Sequence, residues 1–267
     1  MEIRIKNIRI GKRYSPKIMG VLNISPESFF LDSISPCNMV STRVEEMIRE
    51  GADLIDLGAR STALDSPPLP VVDERERILH AMKELDGYDV VLSLDTMHPD
   101  VLNAALHYDI SAINDINGLA NPEYARLVAD SGLPVIAMAS HHRPGDSLGM
   151  FGTHAALQEI LNRAEKYDIC DLILDPGVGK WIAERSLMMD WDICRHFSEL
   201  NQYDHPLLAA ISRKTFIGAC IGKPASERLY GTLGVMFYLL ENGADIVRVH
   251  DVGASRDIVR VYEQLCR

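Results

Sequence analysis

No apolar run in the 267 residues approaches the ~18 needed to cross a bilayer. The opening stretch, MEIRIKNIRIGKRYS, is charged throughout and lacks the apolar centre of a secretory leader, so neither export nor a membrane element is expected. Cysteines are few, at Cys37, Cys170, Cys194, Cys220 and Cys266, odd in number and without a C-x-x-C pair. That pattern predicts reduced thiols in a cytoplasmic protein and excludes a disulfide framework. Basic residues are in deficit, with 27 Lys and Arg against 38 Asp and Glu for a formal charge of -11. Such a balance repels a phosphate backbone and argues against nucleic acid as a partner, while a small anionic substrate can still be held by a few local cations. No Pro-, Gly- or Ser-rich linker divides the chain, which reads as a single domain over 1–267. With 47% hydrophobic and 24% charged residues its usage is ordinary for a globular protein, which excludes a disordered or collagen-like chain.

What is present is an alternation. Short apolar runs at 18–22, 54–57, 90–94, 111–113, 134–138, 172–174, 207–211 and 246–249 are separated by stretches of helical spacing at 39–50, 73–85, 99–107, 122–130, 153–167, 185–200, 225–242 and 254–266. Repeated strand–helix units predict a parallel sheet. The runs are apolar at consecutive positions, as in DLIDL and VVLSL, which suits strands covered on both faces. Eight units in roughly 250 residues match a (β/α)8 TIM barrel, an α/β fold, with an open doubly wound sheet as the alternative. Ahead of the first unit, EIRIKNIRIG alternates Ile3, Ile5, Ile8 and Ile10 with polar residues and predicts a short N-terminal β-hairpin that plugs the bottom of the barrel.

In such a barrel the active site is built at the C-terminal ends of the strands. Those ends are polar here: Asn23, Asp95, Asn114 with Asp115, Asp175, the run Ser212-Arg213-Lys214, and Arg248, His250 and Asp251, with Arg60, Ser61 and Thr62 after the second strand. A single Asp or Asn in this place commonly caps a helix or makes a turn, and Thr96 before Pro99 and Asn121 before Pro122 read as helix starts. Polar groups at nearly every strand end go beyond capping. Asp95, Asn114 and Asp175 suit an aminopyrimidine-like ring, because a carboxylate accepts two N–H bonds from an N–C–NH₂ edge, and Lys214 can donate to a ring carbonyl or nitrogen. Arg248 and His250, two apart on one strand, face the same side and suit an anionic group such as a diphosphate; a surface ion pair is the plain alternative.

The segments IMGVLNISPESFF (18–30), GADLIDLGARST (51–62), LSLDT (92–96), INDINGL (113–119), ILDPGVG (173–179), SRKTFIG (212–218) and GADIVRVHDV (243–252) come in the order found in dihydropteroate synthases, the pterin-binding enzymes of folate biosynthesis, and resemble them. The resemblance implies the barrel fold, a homodimer, and a transferase that joins 6-hydroxymethyl-7,8-dihydropterin diphosphate to an arylamine, p-aminobenzoate, with release of diphosphate. Carried over by position, it implies a pterin pocket of Asp95, Asn114, Asp175 and Lys214, and a diphosphate site of Asn23, Arg248 and His250. Mg²⁺ would be bound largely through the diphosphate and Asn23. Ser212 and Thr62 would lie towards the arylamine, and Met138 would line the substrate pocket. Lys214, Arg248 and His250 would be the catalytic groups, the last two with the metal stabilising charge that develops on the departing diphosphate.

Several loops depart from the family pattern. The usual D-S-F-S-D-G-G after strand 1 is Glu27-Ser28-Phe29-Phe30-Leu31-Asp32-Ser33, without the glycines, and S-T-R-P after strand 2 is Ser61-Thr62-Ala63-Leu64, without the arginine. M-H-M after strand 5 is Met138-Ala139-Ser140 followed by His141, His142 and Arg143, and 177–180 after strand 6 is shorter than the common form. These changes fall mainly on the arylamine side. They admit a second acceptor, the ribofuranosylaminobenzene phosphate of methanopterin synthesis in archaeal relatives, met by His141, His142 and Arg143; drift of a surface loop is the other reading. A corrinoid-dependent methyltransferase would need no diphosphate site, against which SRK and RVHD count, and a non-catalytic relative would bind pterin without releasing diphosphate.

Overall fold

The computed structural model describes residues 1–24, 39–60 and 69–266. Two short strands, β1 (Ile3–Ile5) and β2 (Ile8–Ile10), pair antiparallel with Ile3 opposite Ile10 and Ile5 opposite Ile8. After them come β3 (Lys17–Asn23), α1 (Met39–Glu50), β4 (Leu54–Gly58), α2 (Val71–Glu84), β5 (Leu92–Asp95), α3 (Pro99–Ala105) and β6 (Ala112–Asp115). The chain continues through α4 (Pro122–Ser131), β7 (Val135–Met138), α5 (Gly149–Lys166), β8 (Leu172–Asp175), α6 (Leu187–Arg195), β9 (Leu208–Ala209), α7 (Thr215–Ile221), α8 (Leu229–Glu241), β10 (Ile246–Val249) and α9 (Val252–Cys266). All neighbours in the order β8-β7-β6-β5-β4-β3-β10-β9 run parallel. The two end strands meet through a parallel bridge between Leu174 and Leu207, so the sheet closes and the open alternative is set aside.

Strand period explains the composition of the runs. Ile18, Ile55, Leu57, Leu94, Ile113, Val135, Leu172, Leu174, Val247 and Val249 pack with the helices in one buried cluster. The alternate residues Met19, Leu54, Ala112, Ile136, Ile173, Leu208 and Ile246 point the other way and form a separate cluster with Ile3, Ile5 and Ile10 of the hairpin. The hairpin is therefore the expected plug. Two positions further along, the same inward phase carries Asp56, Ser93, Asn114, Met138, Asp175, Ala210 and Arg248. The interior thus changes from apolar at the plugged end to polar at the other.

Several helices differ from the spacing, among them α5, which begins at Gly149 instead of 153. The stretch 185–200 is divided, α6 ending at Arg195 and a 3₁₀ segment running over Phe197–Tyr203. An additional short helix, α7, follows β9 and ends at Gly222, whose φ of 67° takes the left-handed cap that glycine adopts most cheaply. Pro224 lies between that cap and the next helix, α8, which begins at Leu229 instead of 225. Asn121 caps α4 as expected, accepting from the Glu123 and Tyr124 N–H groups. Among the described residues no helix is long and apolar enough to cross a membrane.

Candidate active site

At the C-terminal end of the strands lies a cavity of about 540 Å³ whose lining includes Asn23, Gly58, Arg60, Asp95, Ser212, Arg213, Lys214, Arg248 and His250. Gly179, Lys180 and Trp181, from the loop after β8, complete one wall. Asn114 and Asp175, at 3% and 5% exposure, stand behind this lining, and Met138 is fully buried against Gly177. Thr62 and the departures at 27–33 and 61–64 lie outside the described residues.

Arg248 organises the centre. Its Nε donates to Asp56 Oδ2 at 2.6 Å and its Nη2 to Asp95 Oδ2 at 2.7 Å, while Asn114 Nδ2 donates to the same Asp56 oxygen at 2.9 Å. Burial opposes the guanidinium charge, but Asp56 and Asp95 outweigh it and hold Arg248 above its ordinary range. Burial pushes Asp95 up to about 7, Arg248 opposing and Asp56 and Glu74 adding to the rise. Asp56 is wholly buried, and its second oxygen, Oδ1, has no hydrogen-bond partner among the described residues. Sequence reading missed Asp56 because it sits inside the apolar run DLIDL; its even spacing from Leu54 and Gly58 is the signal that it faces inward.

On the other side, Asp175 Oδ1 accepts the Gly177 N–H at 2.7 Å. Burial raises the Asp175 carboxyl, with the Gly177 N–H and Lys214 opposing. Lys214 Nζ stands 4.9 Å from the centre of the Trp181 ring, a cation–π distance. Burial brings Lys214 down to about 8, Arg248 adding to the fall and Asp175 and Asp190 opposing it. His250 Nδ1 is 3.0 Å from Ser212 Oγ, which also accepts the His250 N–H. Burial, then Arg248 and Arg213, lower His250 to about 4, so its imidazole is neutral near pH 7. Arg213 is held by a two-bond pair to Asp251, at 2.9 and 2.5 Å. Asp115 accepts the Asn117 and Leu119 N–H groups and shapes a turn, the plain role open to it from its position.

Arg60, at the cavity's edge after β4, belongs to a further polar cluster. Its Nη1 lies 2.7 Å from His98 Nε2 and 3.7 Å from the wholly buried Glu74, which accepts the Thr96 hydroxyl at 2.6 Å. The residues His141, His142 and Arg143 do not line the cavity. Asp146 accepts the backbone N–H of all three at 2.7, 3.0 and 3.2 Å, and His141 Nδ1 is 2.8 Å from Glu159 on α5. The rebuilt loop is fastened to itself and to that helix, and brings no cation to the cavity.

Residues 19–250 match the family model of the pterin binding enzymes. The chain belongs to the pterin-binding enzyme family. Dihydropteroate synthase of Streptococcus pyogenes serotype M3 is 32% identical to it over 274 residues, covering 97% of this chain and 100% of that one. The structure of Xanthomonas albilineans dihydropteroate synthase with 4-aminobenzoic acid superposes with a TM-score of 0.87 and 29% identity, over 99% of this chain and 97% of that chain. That of the Clostridium difficile enzyme in the presence of pteroic acid gives 0.86 and 28%, over 97% and 98%.

Within this pterin-binding frame, Lys214 has a testable pH signature. A lysine lowered from 10.5 to about 8 binds fewer protons in the folded than in the unfolded chain between those values, so stability rises with pH across that window. Pterin affinity, if it uses the ammonium, falls over the same range. Calorimetric titration from pH 7 to 10 is expected to show affinity falling through about 8, and a Lys214→Met variant is expected to lose that decline.

The Mg²⁺ that the family resemblance implies has a limited donor set here. Among the described residues no three His, Cys, Asp or Glu side chains cluster as a protein-made metal cage would require. The cavity does offer the Asn23 side-chain amide, whose Nδ2 is directed at the Arg60 carbonyl. An amide oxygen is a hard ligand, and Mg²⁺ commonly takes few protein ligands beside substrate phosphates and water. The residues present fit an ion that arrives with its substrate.

Proposed function

We propose that this chain is a dihydropteroate synthase-type transferase that condenses 6-hydroxymethyl-7,8-dihydropterin diphosphate with p-aminobenzoate and releases diphosphate. The carrying observation is the division of one cavity end into two chemistries. Lys214 and Asp95 line it with a donor and an acceptor for an aminopyrimidine-like ring, with Asp175 and Asn114 buried behind them, while Arg248, His250 and Asn23 gather at the ends of the neighbouring strands β10 and β3. Relatives solved with pteroic acid and with 4-aminobenzoic acid support both halves of the substrate assignment.

Asp175 keeps one oxygen on Gly177 and directs the other to the N–H edge of the ring. Lys214 donates from the far side, and Asn114 and Asp95 close the polar edge. In the reaction the arylamine lone pair attacks the methylene carbon, the carbon–oxygen bond breaks, and the diphosphate departs with the bonding pair while the amine loses a proton to solvent. Arg248 and the neutral His250 N–H hold the departing oxygens, so their stabilisation grows as charge accumulates there. When bound, Mg²⁺ on Asn23 and the diphosphate would neutralise part of that charge. Ser212 faces the arylamine in this reading, and Met138 packs against Gly177 behind the pocket. A homodimer is the assembly we assign, supported by exposed apolar side chains on α6 and α8, among them Met188 at 61% and Tyr230 at 82%.

The test is diphosphate release with p-aminobenzoate and, in parallel, a ribosylated aminobenzene phosphate. Turnover should be higher with p-aminobenzoate, since His141, His142 and Arg143 are held away from the cavity. Preference for the phosphorylated acceptor would move the protein to the methanopterin reaction. Pterin binding without diphosphate release from either mixture would leave a non-catalytic relative.

A further inference from the structure

Arg185 and Asp190 form an ion pair with no exposed surface on either side chain, Nε to Oδ1 at 2.9 Å. Removing two charges from water is costly, and their attraction offsets this only when the remaining polar atoms are also satisfied. Here Arg185 Nη2 and Asp190 Oδ2 have no hydrogen-bond partner among the described residues. The pair is therefore a poor device for stability. What it does hold is backbone. Asp190 Oδ1 also accepts the Gly179 N–H at 2.9 Å, and Arg185 Nη1 donates to the Ser147 carbonyl at 3.0 Å. The loop after β8 is thereby tied to α6 and to the loop after β7.

The tied loop is the cavity wall that meets Lys214. Trp181 Nε1 donates to the Gly177 carbonyl at 2.9 Å, which turns its ring beneath the lysine. Gly179 has a φ of +133°, and a Cβ there would lie 2.9 Å from Lys214 Nζ, so bare backbone is packed against the ammonium. Any shift of Gly179 alters where that ammonium rests. We propose that Arg185 and Asp190 are positioning residues that fix the 177–181 loop as the surface locating Lys214, and so set affinity for the pterin; the affinity part rests on the pterin role proposed above for Lys214.

Removing both charges together suits a test, because Arg185 and Asp190 act on the Lys214 charge in opposite directions. Two doubles of the full chain are compared. Arg185→Met/Asp190→Asn keeps a neutral oxygen for the Gly179 N–H, and Arg185→Met/Asp190→Leu does not. Both are made with Trp191→Phe, so that emission comes from Trp181 alone. At similar melting temperatures the leucine double should show stronger acrylamide quenching of Trp181. It should also bind 6-hydroxymethyl-7,8-dihydropterin about tenfold more weakly than the asparagine double, the effect of one buried donor losing its acceptor.

Equal quenching in the two doubles would overturn the positioning role, as would a difference that merely follows a loss of melting temperature. Quenching needs no pterin, so it judges the loop alone. Pterin affinity of Lys214→Met judges the parent reading. If the leucine double does not fold, Arg185→Met/Asp190→Ala replaces it under the same criteria.

Discussion

Replacing Arg248 with alanine is expected to lower kcat for diphosphate release by about two to three orders of magnitude, the scale of removing one preorganised electrostatic contact. The guanidinium is fixed before substrate arrives, by Asp56 at 2.6 Å and Asp95 at 2.7 Å, so it needs little reorganisation as charge develops on the leaving group. An interaction that strengthens towards the transition state is lost mainly from kcat. The same geometry adds a second consequence. Asp56 is wholly buried, and without Arg248 it faces Asp95 with no cation between them, so Asp95, already raised to about 7, is pushed up further. Bare pterin should therefore also bind more weakly. Arg248→Lys separates the effects: it keeps a charge between the carboxylates but loses the fork that spans them, and should restore pterin affinity more fully than kcat. Stopped-flow release of diphosphate measures the first quantity and calorimetry the second. Undiminished release by Arg248→Ala would remove Arg248 from the departing group.

Asp175→Asn should weaken pterin binding by about 2–3 kcal/mol, roughly a hundredfold, through a mismatch that the backbone enforces. The wild-type carboxylate uses Oδ1 for the Gly177 N–H at 2.7 Å. An asparagine must keep its only oxygen there, because turning it over would set an NH₂ against an N–H. Its NH₂ then takes the place of the oxygen that faces the ring, donor against donor. Asp175→Glu keeps two acceptors but lengthens the side chain at a site only 5% exposed, and should fail for steric reasons instead. Calorimetry with the unesterified pterin reads both variants without involving catalysis. Wild-type affinity in Asp175→Asn would withdraw the ring-reading role.

How much of this was legible in the sequence depended on whether a residue's neighbours lie along the chain. Strand ends such as Asn23, Asp95 and Asp175 follow apolar runs directly, so position alone gives them to the mouth of a barrel. The plug was readable because Ile3, Ile5 and Ile10 alternate with polar residues. Asp56 was hidden by its apolar neighbours, since a strand covered on both faces loses the alternation that marks an inward residue. Trp181 and Gly179 line the cavity from a loop with no period, and Gly179 meets Asp190 only because 177–186 folds back on α6. The cluster of Arg60, His98 and Glu74 draws on three separate elements. His141, His142 and Arg143 drew attention by composition, but nothing in composition could reveal that Asp146 binds their backbone.

The bridge between Leu174 and Leu207 is the narrowest stitch in the barrel. Strand β9 spans only Leu208–Ala209, and beside the bridge the main-chain bond across the join is from the Leu174 N–H to the Pro206 carbonyl at 2.9 Å. Proline has no N–H to donate across the join, so the ladder does not extend through residue 206, and this side of the cylinder parts more readily than a fully paired one would. Asp175 stands on one bank of that join and Lys214 on the other. A pterin gripped by both would lie across the gap as a clasp, and occupancy would then show first as slower amide exchange along the seam, ahead of any change in the rest of the cylinder.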